Sequence, residues 1–292
     1  MDLSFDLLGN AIVSGILLGG FYAAVSIGVS ISFGMLDIVN IAHPAFILLG
    51  SYIAYIANTW WGVDPILASV VVLPAFYLLG VGIYSIYEVS FERRGDTSLR
   101  GLAFFFGLLF ITEVTLVLVF GVDYRLVEAP YIGPSLHFGV IELPLRLLVP
   151  CLVSLAMLGT LQTFLSRSFL GRAVQAVAQD PQALRLMAAN PTAIKRVAFG
   201  LSIATASIAG AVLIIIQPIE PSIGRDYIGR IFAIVVLGGL GSISGTLVAA
   251  LTLGIAENLT ATFYGPSWSP AVAFGILLLT LAVRPSGLFG RA

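Results

Sequence analysis

Charged side chains are scarce in this sequence. Asp, Glu, Lys and Arg together make up 10% of its 292 residues, where soluble domains carry about 25%, and that excludes a chain coated on all sides by water. Cysteine is nearly absent too. Cys151 stands alone in an apolar run, which rules out an intrachain disulfide and a cysteine-ligated metal and leaves a packed core thiol. No H-E-x-x-H, serine elbow or G-x-x-x-x-G-K-S/T phosphate loop occurs, so neither a catalytic constellation nor a P-loop for ATP is written in the chain. The formal net charge is −1 and gives no footing for nucleic acid. Lys195 is the single lysine among the basic residues, a bias that nothing in the sequence explains.

What is present instead is apolar sequence, 59% of the residues, with a mean hydropathy of +1.04. Stretches free of any charge run from Leu7 to Leu36, Ile38 to Val63, Pro65 to Tyr87, Leu147 to Ser166, Val197 to Ile219, Ile231 to Ala256 and Asn258 to Val283. A hydrocarbon core of ~30 Å takes roughly 20 residues of helix to cross, and each stretch is long enough. The first begins after Asp2 and Asp6 instead of a basic segment and exceeds a signal-peptide core, so it reads as a span. The sequence therefore predicts an all-α polytopic membrane protein, a single transmembrane domain over 1–292. About eight to nine segments span it fully or in part: 7–34, 41–58, 65–88, 99–121, 146–166, 195–217, 227–243, 246–264 and 269–284. Gly238, Gly239, Gly241 and Gly245 interrupt the seventh and eighth, and backbone broken at that depth must be covered by protein or line a water-filled cavity.

The arginines set the expected orientation. One basic cluster is Glu92-Arg93-Arg94-Gly95-Asp96 with Arg100; a second is Arg167, Arg172, Arg185, Lys195 and Arg196 against Asp180 alone; Arg284 and Arg291 follow near the end. These fall on one side, assigned to the cytoplasm, with the N-terminus and the 122–145 loop outside. Arg225 and Arg230 depart from the rule, and Glu220 and Asp226 are near enough in sequence to offset them. The 122–145 loop, with Pro130, Pro134 and Pro144 and alternating apolar residues, can hold a short hairpin or lid.

The inner loop 167–195 is too apolar for an ordinary linker. It contains two helical pieces, the second opened by Asp180 as N-cap and Pro181 at the first position and stopped at Asn190-Pro191. Leu184, Met187 and Ala188 share a face there by spacing. So short a helix is marginal alone, and it gains stability with one side on the membrane domain and another on a cytoplasmic partner, or lying at the lipid interface.

At this loop the residues resemble a family. Gly171-Arg172-Ala173 through Val177, Asp180, Leu184, Met187 and Ala188 are similar to the ATPase-coupling segment of branched-chain (hydrophobic) amino acid ABC-importer permeases. Asn40-Ile-Ala-His43-Pro-Ala-Phe-Ile-Leu-Leu-Gly50-Ser-Tyr52 resembles that family's N-x-A-H-G…L-G-x-Y element, and Gly238 to Gly245 its G-G-x-G-S-x-x-G element. Arg284-Pro-Ser-Gly287-Leu-Phe-Gly290 is similar to its C-terminal signature. Singly these motifs are unspecific; four in this order are specific, and they resemble the shorter permease of the heterodimeric pair. Two departures stand out: Pro44-Ala45 replaces Gly and an acidic or small residue, and Ala188-Ala189-Asn190-Pro191 replaces Gly-Ile-Asn-Val.

The resemblance implies a permease subunit of the bacterial inner membrane with no cofactor of its own, ATP and Mg being held by partners. Those partners are a second homologous permease, two cytoplasmic ABC ATPases and a periplasmic or lipid-anchored substrate-binding protein, all within membrane lipid. The leading substrates are branched-chain or other hydrophobic amino acids; urea, amides, small carboxylates or a self-sufficient secondary transporter are the alternatives. Polar groups at membrane depth mark the expected path: Asn40, which caps the second span, with His43, Glu113, Glu257 and Asn258. His43 serves either a structural hydrogen bond or a substrate contact. Each glutamate is protonated or paired with an arginine, and Glu88 pairs with Arg93. Gly15, Gly19, Gly241 and Gly245 suit close helix packing, and Gly239 and Gly241 also suit a hinge or a path wall.

Overall fold

The protein, seen in a computed structural model, is described over residues 5–95, 99–139 and 141–290. Asp2, Asp96 and Arg291, which enter the charge argument, lie outside the described residues. Eleven α-helices and one hairpin make up this part: α1 Phe5–Ser32, α2 His43–Trp61, α3 Pro65–Ser90, α4 Leu99–Phe120, β1 Ser135–Phe138, β2 Ile141–Pro144, α5 Leu145–Arg167, α6 Phe169–Gln179, α7 Pro181–Leu186, α8 Pro191–Ile216, α9 Gly224–Gly238, α10 Ile243–Phe263 and α11 Ser269–Val283. Nine of them match the nine expected segments in order.

Seven helical spans are long and apolar enough to cross a membrane on their own. The exceptions are α2 and α9. The first begins at His43-Pro44 and ends at Trp60-Trp61; the second has only 15 residues, about 22 Å of helix. Both are tolerated because protein, and not lipid, surrounds them. The centre of the bundle is α1 and α8, of whose most apolar stretches 72% and 83% of the residues are buried, against 11% for α11 at the edge. Around them α10, α5 and α9 pack on α1, and α3 and α2 pack on α8.

Lipid is as apolar as leucine, so close fit and hydrogen bonds must hold such helices together. Small residues on α1 supply the fit. A Cβ at Gly15 would stand 2.7 Å from the Ile255 Cα and one at Gly19 would stand 2.6 Å from the Leu251 Cα, while Gly254 of α10 abuts the Gly19 backbone. Hydroxyls supply the bonds: Ser202 donates to the Gly28 carbonyl at 2.7 Å, Ser51 to that of Gly210 at 2.7 Å, and Thr246 to Ser30 at 3.0 Å. Each is fully or nearly buried between two helices.

The 122–145 loop folds as an antiparallel hairpin paired from Ser135↔Pro144 to Phe138↔Ile141. It is fastened to the bundle at several points. Asn58 exchanges two 3.0 Å bonds with the Glu128 backbone, the Glu142 N–H donates to Asn10, and Arg125 bridges to Ile219. Tyr131 donates to Asp64 at 2.8 Å, and burial with that bond pushes its hydroxyl well above the usual tyrosine range. This end of the bundle is called the hairpin end below, and the opposite one, with α6 and α7, the basic end.

The basic end corrects one expectation. Asp180 caps α7 through the Gln182 and Ala183 N–H groups as expected, but Asn190-Pro191 is not a stop. Asn190 accepts from the Thr192 and Ala193 N–H groups and opens α8, because an Asx residue followed by proline is an N-terminal signal wherever helix follows it. The true stop is Met187, followed by Ala188 at φ 57°. The helical face expected to join Leu184, Met187 and Ala188 therefore ends before Ala188.

Gly254→Val should lower the unfolding temperature of the detergent-solubilised protein, since a side chain inserted into a filled interface costs about 1–3 kcal/mol. Gly159→Val, whose Cβ meets open space, should leave it unchanged. Circular dichroism melts of the two variants make the comparison.

Candidate translocation path and coupling surface

Arginines packed within a membrane domain need partners, and α9 carries two. The neighbours in sequence do not neutralise them, as Glu220 and Asp226 were expected to; partners on other helices do. Arg225 grips Glu113 of α4 with two bonds of 2.8 and 2.6 Å and lies over the Phe110 ring. Arg230 reaches Glu257 of α10 at 2.9 and 3.3 Å, and Tyr22 of α1 donates to the same carboxylate at 2.5 Å. Arg230 also lies over Tyr227, whose hydroxyl accepts from Gln217. The Glu257 side chain is 2% exposed, so its charge depends on these donors. Of the two arrangements expected for these glutamates, the one with an arginine partner is found at both.

Asn40 and His43 lie elsewhere, fully buried where α1, α2 and α8 meet. The His43 ring fills a notch that exists because residue 28 is glycine; a Cβ there would collide with the ring and with Thr205. Asn40 does not cap α2, which starts at His43 behind Ala42; its Oδ1 accepts from the Ala42 N–H at 3.1 Å instead. Its Nδ2 and both His43 ring nitrogens have no hydrogen-bond partner among the described residues. The structural hydrogen bond considered for His43 is thus absent among the described residues.

Beside α9, toward the hairpin end, a cleft of about 350 Å³ is lined by Tyr22, Gln217, Asp226, Arg230, Glu257 and Asn258 together with Leu18, Ile216 and Ile223. Asn258 is held there by its bond to the Ala11 carbonyl at 2.6 Å. Glu113 and Arg225 flank a smaller hollow against Ala45 and Leu48. At the basic end, Gly241 and Met35 share a groove of about 630 Å³ with Gln175, Gln179 and Pro285. Gly239, at φ 91°, packs against the Gly290 backbone. The seven residues expected along a path thus fall in four places, with only Glu257 and Asn258 sharing a cleft. Tyr22, Gln217, Tyr227 and Arg230 were missed there; the signal was Arg230 itself, an arginine on the wrong side of the charge rule.

On the basic end, Glu88 accepts from Arg93 at 2.8 Å, as expected, and also from Arg196 at 3.1 Å. Glu92 accepts from Lys195 at 2.6 Å and from Tyr84 at 2.7 Å. These bonds clamp the end of α3 to the start of α8. The proposed coupling residues divide by face. Gly171, Val174 and Val177 turn inward, with Gly171 seated against the Leu165 backbone. Ala173 is half-buried and Leu184 rests partly against the core. Arg172, Asp180, Met187 and Ala188 are exposed. Leu186 and Met187 show 90% and 79% of their surface, an apolar tip that the predicted face included only in part.

Comparison with known proteins follows this geometry closely. The family described as branched-chain amino acid transport system, permease component, matches residues 11–281. The chain is similar to the high-affinity branched-chain amino acid transport system permease protein BraD of Pseudomonas aeruginosa, 34% identical over 96% of this chain and 95% of that one. LivH of Escherichia coli is 30% identical over 95% and 94%. LivM of Salmonella typhimurium, also a permease of such a system, is 29% identical over 91% of this chain and 67% of its own. Among solved structures, a chain of PsaBC from Streptococcus pneumoniae in complex with Fab has the same fold, with a TM-score of 0.51 at 13% identity over 96% of this chain and 92% of that one.

Removing one partner of a buried pair costs about 3–5 kcal/mol, and removing both costs less. Glu257→Gln should therefore destabilise the protein more than Glu257→Gln combined with Arg230→Gln. Thermal unfolding of both in one detergent decides it; equal losses would mean that the pair is not coupled.

Proposed function

The chain belongs to the branched-chain amino acid transport permease family, and from that premise we propose how its parts divide the work. It is the permease component of a branched-chain amino acid ABC transport system, a multi-pass membrane protein of a kind that carries no ATPase domain. As one transmembrane domain over 1–292, it pairs with a second permease of the same family, the existence of LivM-type relatives favouring a heterodimer. Two ATPases bind the basic end in the cytoplasm and bring the ATP and Mg. A substrate-binding protein delivers to the hairpin end outside, which puts the N-terminus out and the C-terminus in across a bacterial inner membrane.

One observation carries the coupling role. The 167–195 segment turns Gly171, Val174 and Val177 onto the bundle and leaves Leu186 and Met187 standing free at its tip. An apolar pair on an exposed helix end, fixed from behind, is what a partner's groove can grip. ATP-driven movement of that partner would act on α6 and so on α5 and α8, which it touches, biasing a two-state bundle. The path follows α9, past Glu113, Gly239, Gly241, Glu257 and Asn258, with Asn40 and His43 as its buried support. A self-sufficient transporter would need Glu113 and Glu257 for coupling ions, and both are held by arginines.

Leu186→Glu with Met187→Glu should leave the permease folded, since both residues are exposed. Charging an apolar anchor costs about 2 kcal/mol or more at an interface, roughly thirtyfold in affinity. ATPase subunits should no longer co-purify, and amino-acid uptake should fall in proportion. Normal co-purification and hydrolysis with the variant would sink the assignment.

A further inference from the structure

The lining of the cleft beside α9 is part polar and part apolar. In the polar part Asp226 and Arg230 stand one turn apart on the same helix, the spacing at which helical side chains are neighbours. Asp226 is exposed to the cleft and its carboxylate forms no ion pair or side-chain hydrogen bond among the described residues. Arg230 is already engaged by Glu257, itself shared with Tyr22. Leu18, Ile216 and Ile223, each half-buried, supply the apolar part of the lining. The volume, about 350 Å³, falls in the roughly 300–1,000 Å³ range of small-molecule sites.

With Asp226 and Glu257 ionised against one arginine, the cluster carries one negative charge more than positive. A lone carboxylate meets repulsion there, and an ammonium finds Asp226 without a cation of its own. A ligand bearing both charges on one carbon can satisfy Asp226 and compete with Glu257 for Arg230, adding no net charge to a region where net charge is costly. We propose that this cleft is a zwitterion subsite on the translocation path, taking the ammonium on Asp226, the carboxylate on Arg230 and a branched aliphatic side chain against Leu18, Ile216 and Ile223. The inference rests on the branched-chain permease reading and assigns the recognition to residues of this chain. It also gives the Arg230–Glu257 pair a second duty: the pair keeps the arginine neutralised when the cleft is empty and yields one acceptor position when a carboxylate arrives.

The buried Cys151 leaves room for a clean reporter. Ala261 lines the cleft on α10 outside the recognition residues, and Ala261→Cys can be labelled by a water-soluble thiol reagent in a reconstituted transporter whose other subunits lack cysteine. Leucine should slow the labelling about fivefold once most sites are filled. 4-Methylpentanoate, which lacks the ammonium, and leucinamide, which lacks the carboxylate, should not. Asp226→Asn, at an exposed position that no fold contact needs, should abolish the protection by leucine. If the wild-type complex imports leucine while leucine leaves the labelling rate unchanged, or if both analogues protect as well as leucine does, the subsite is refuted and the family reading stands. A wild-type complex that imports no leucine refutes the substrate reading on which the inference rests.

Discussion

A charge packed among apolar helices must find an opposite charge, and in this chain α9 is where the requirement is met twice. Arg225 reaches sideways to α4 and Arg230 reaches to α10, with Tyr22 of α1 joining the second pair. The helix is thereby held on two flanks at once. Its length, 15 residues, would not secure it in lipid alone. What fixes its place is the pair of acceptors, Glu113 and Glu257, that two neighbouring helices aim at it, the second braced by a bond from Tyr22 of α1.

Close packing does the complementary work at the centre. Glycines on α1 allow α10 to approach until backbones touch, and Gly28 leaves the notch that the His43 ring fills. Because α1 and α8 are nearly enclosed, polar side chains on them face protein; Ser202 of α8 bonds to a carbonyl of α1, and Ser51 of α2 bonds to a carbonyl of α8. The outer helices need none of this; α4 and α11 present leucine, valine and phenylalanine outward, as a lipid-facing surface should. The scaffold is thus tightly packed within, with polar-lined openings on the flank of α9 and in the groove beside α6.

The spans were legible because length and lack of charge are sufficient for them: an unbroken apolar run of about 20 residues fits a helix across lipid, where a barrel strand takes only about 9–11. The family was legible because four motifs occurred in order. What could not be read was pairing between distant segments. Nothing local joins Glu113 to Arg225 or Glu257 to Tyr22, so sequence neighbours Glu220 and Asp226 stood in for the true partners. Asn190 was misread for a related reason, since the same Asx-Pro pair can close one helix or open the next, and only the course of the following chain decides. Asn40 showed the converse: a good capping residue whose helix starts three residues further on.

The composition of α9 bears finally on how the chain is made. Spans are handed to the bilayer as they emerge from the ribosome, and each is tested for its own affinity for lipid. A short segment bearing Arg225, Asp226 and Arg230 fails that test in isolation. Its acceptor Glu113 is already in place when it appears, but Glu257 lies in α10 and has yet to be synthesised. The second ion pair can close only after α10 has been made, so the packing of α9 is completed by the helix that follows it.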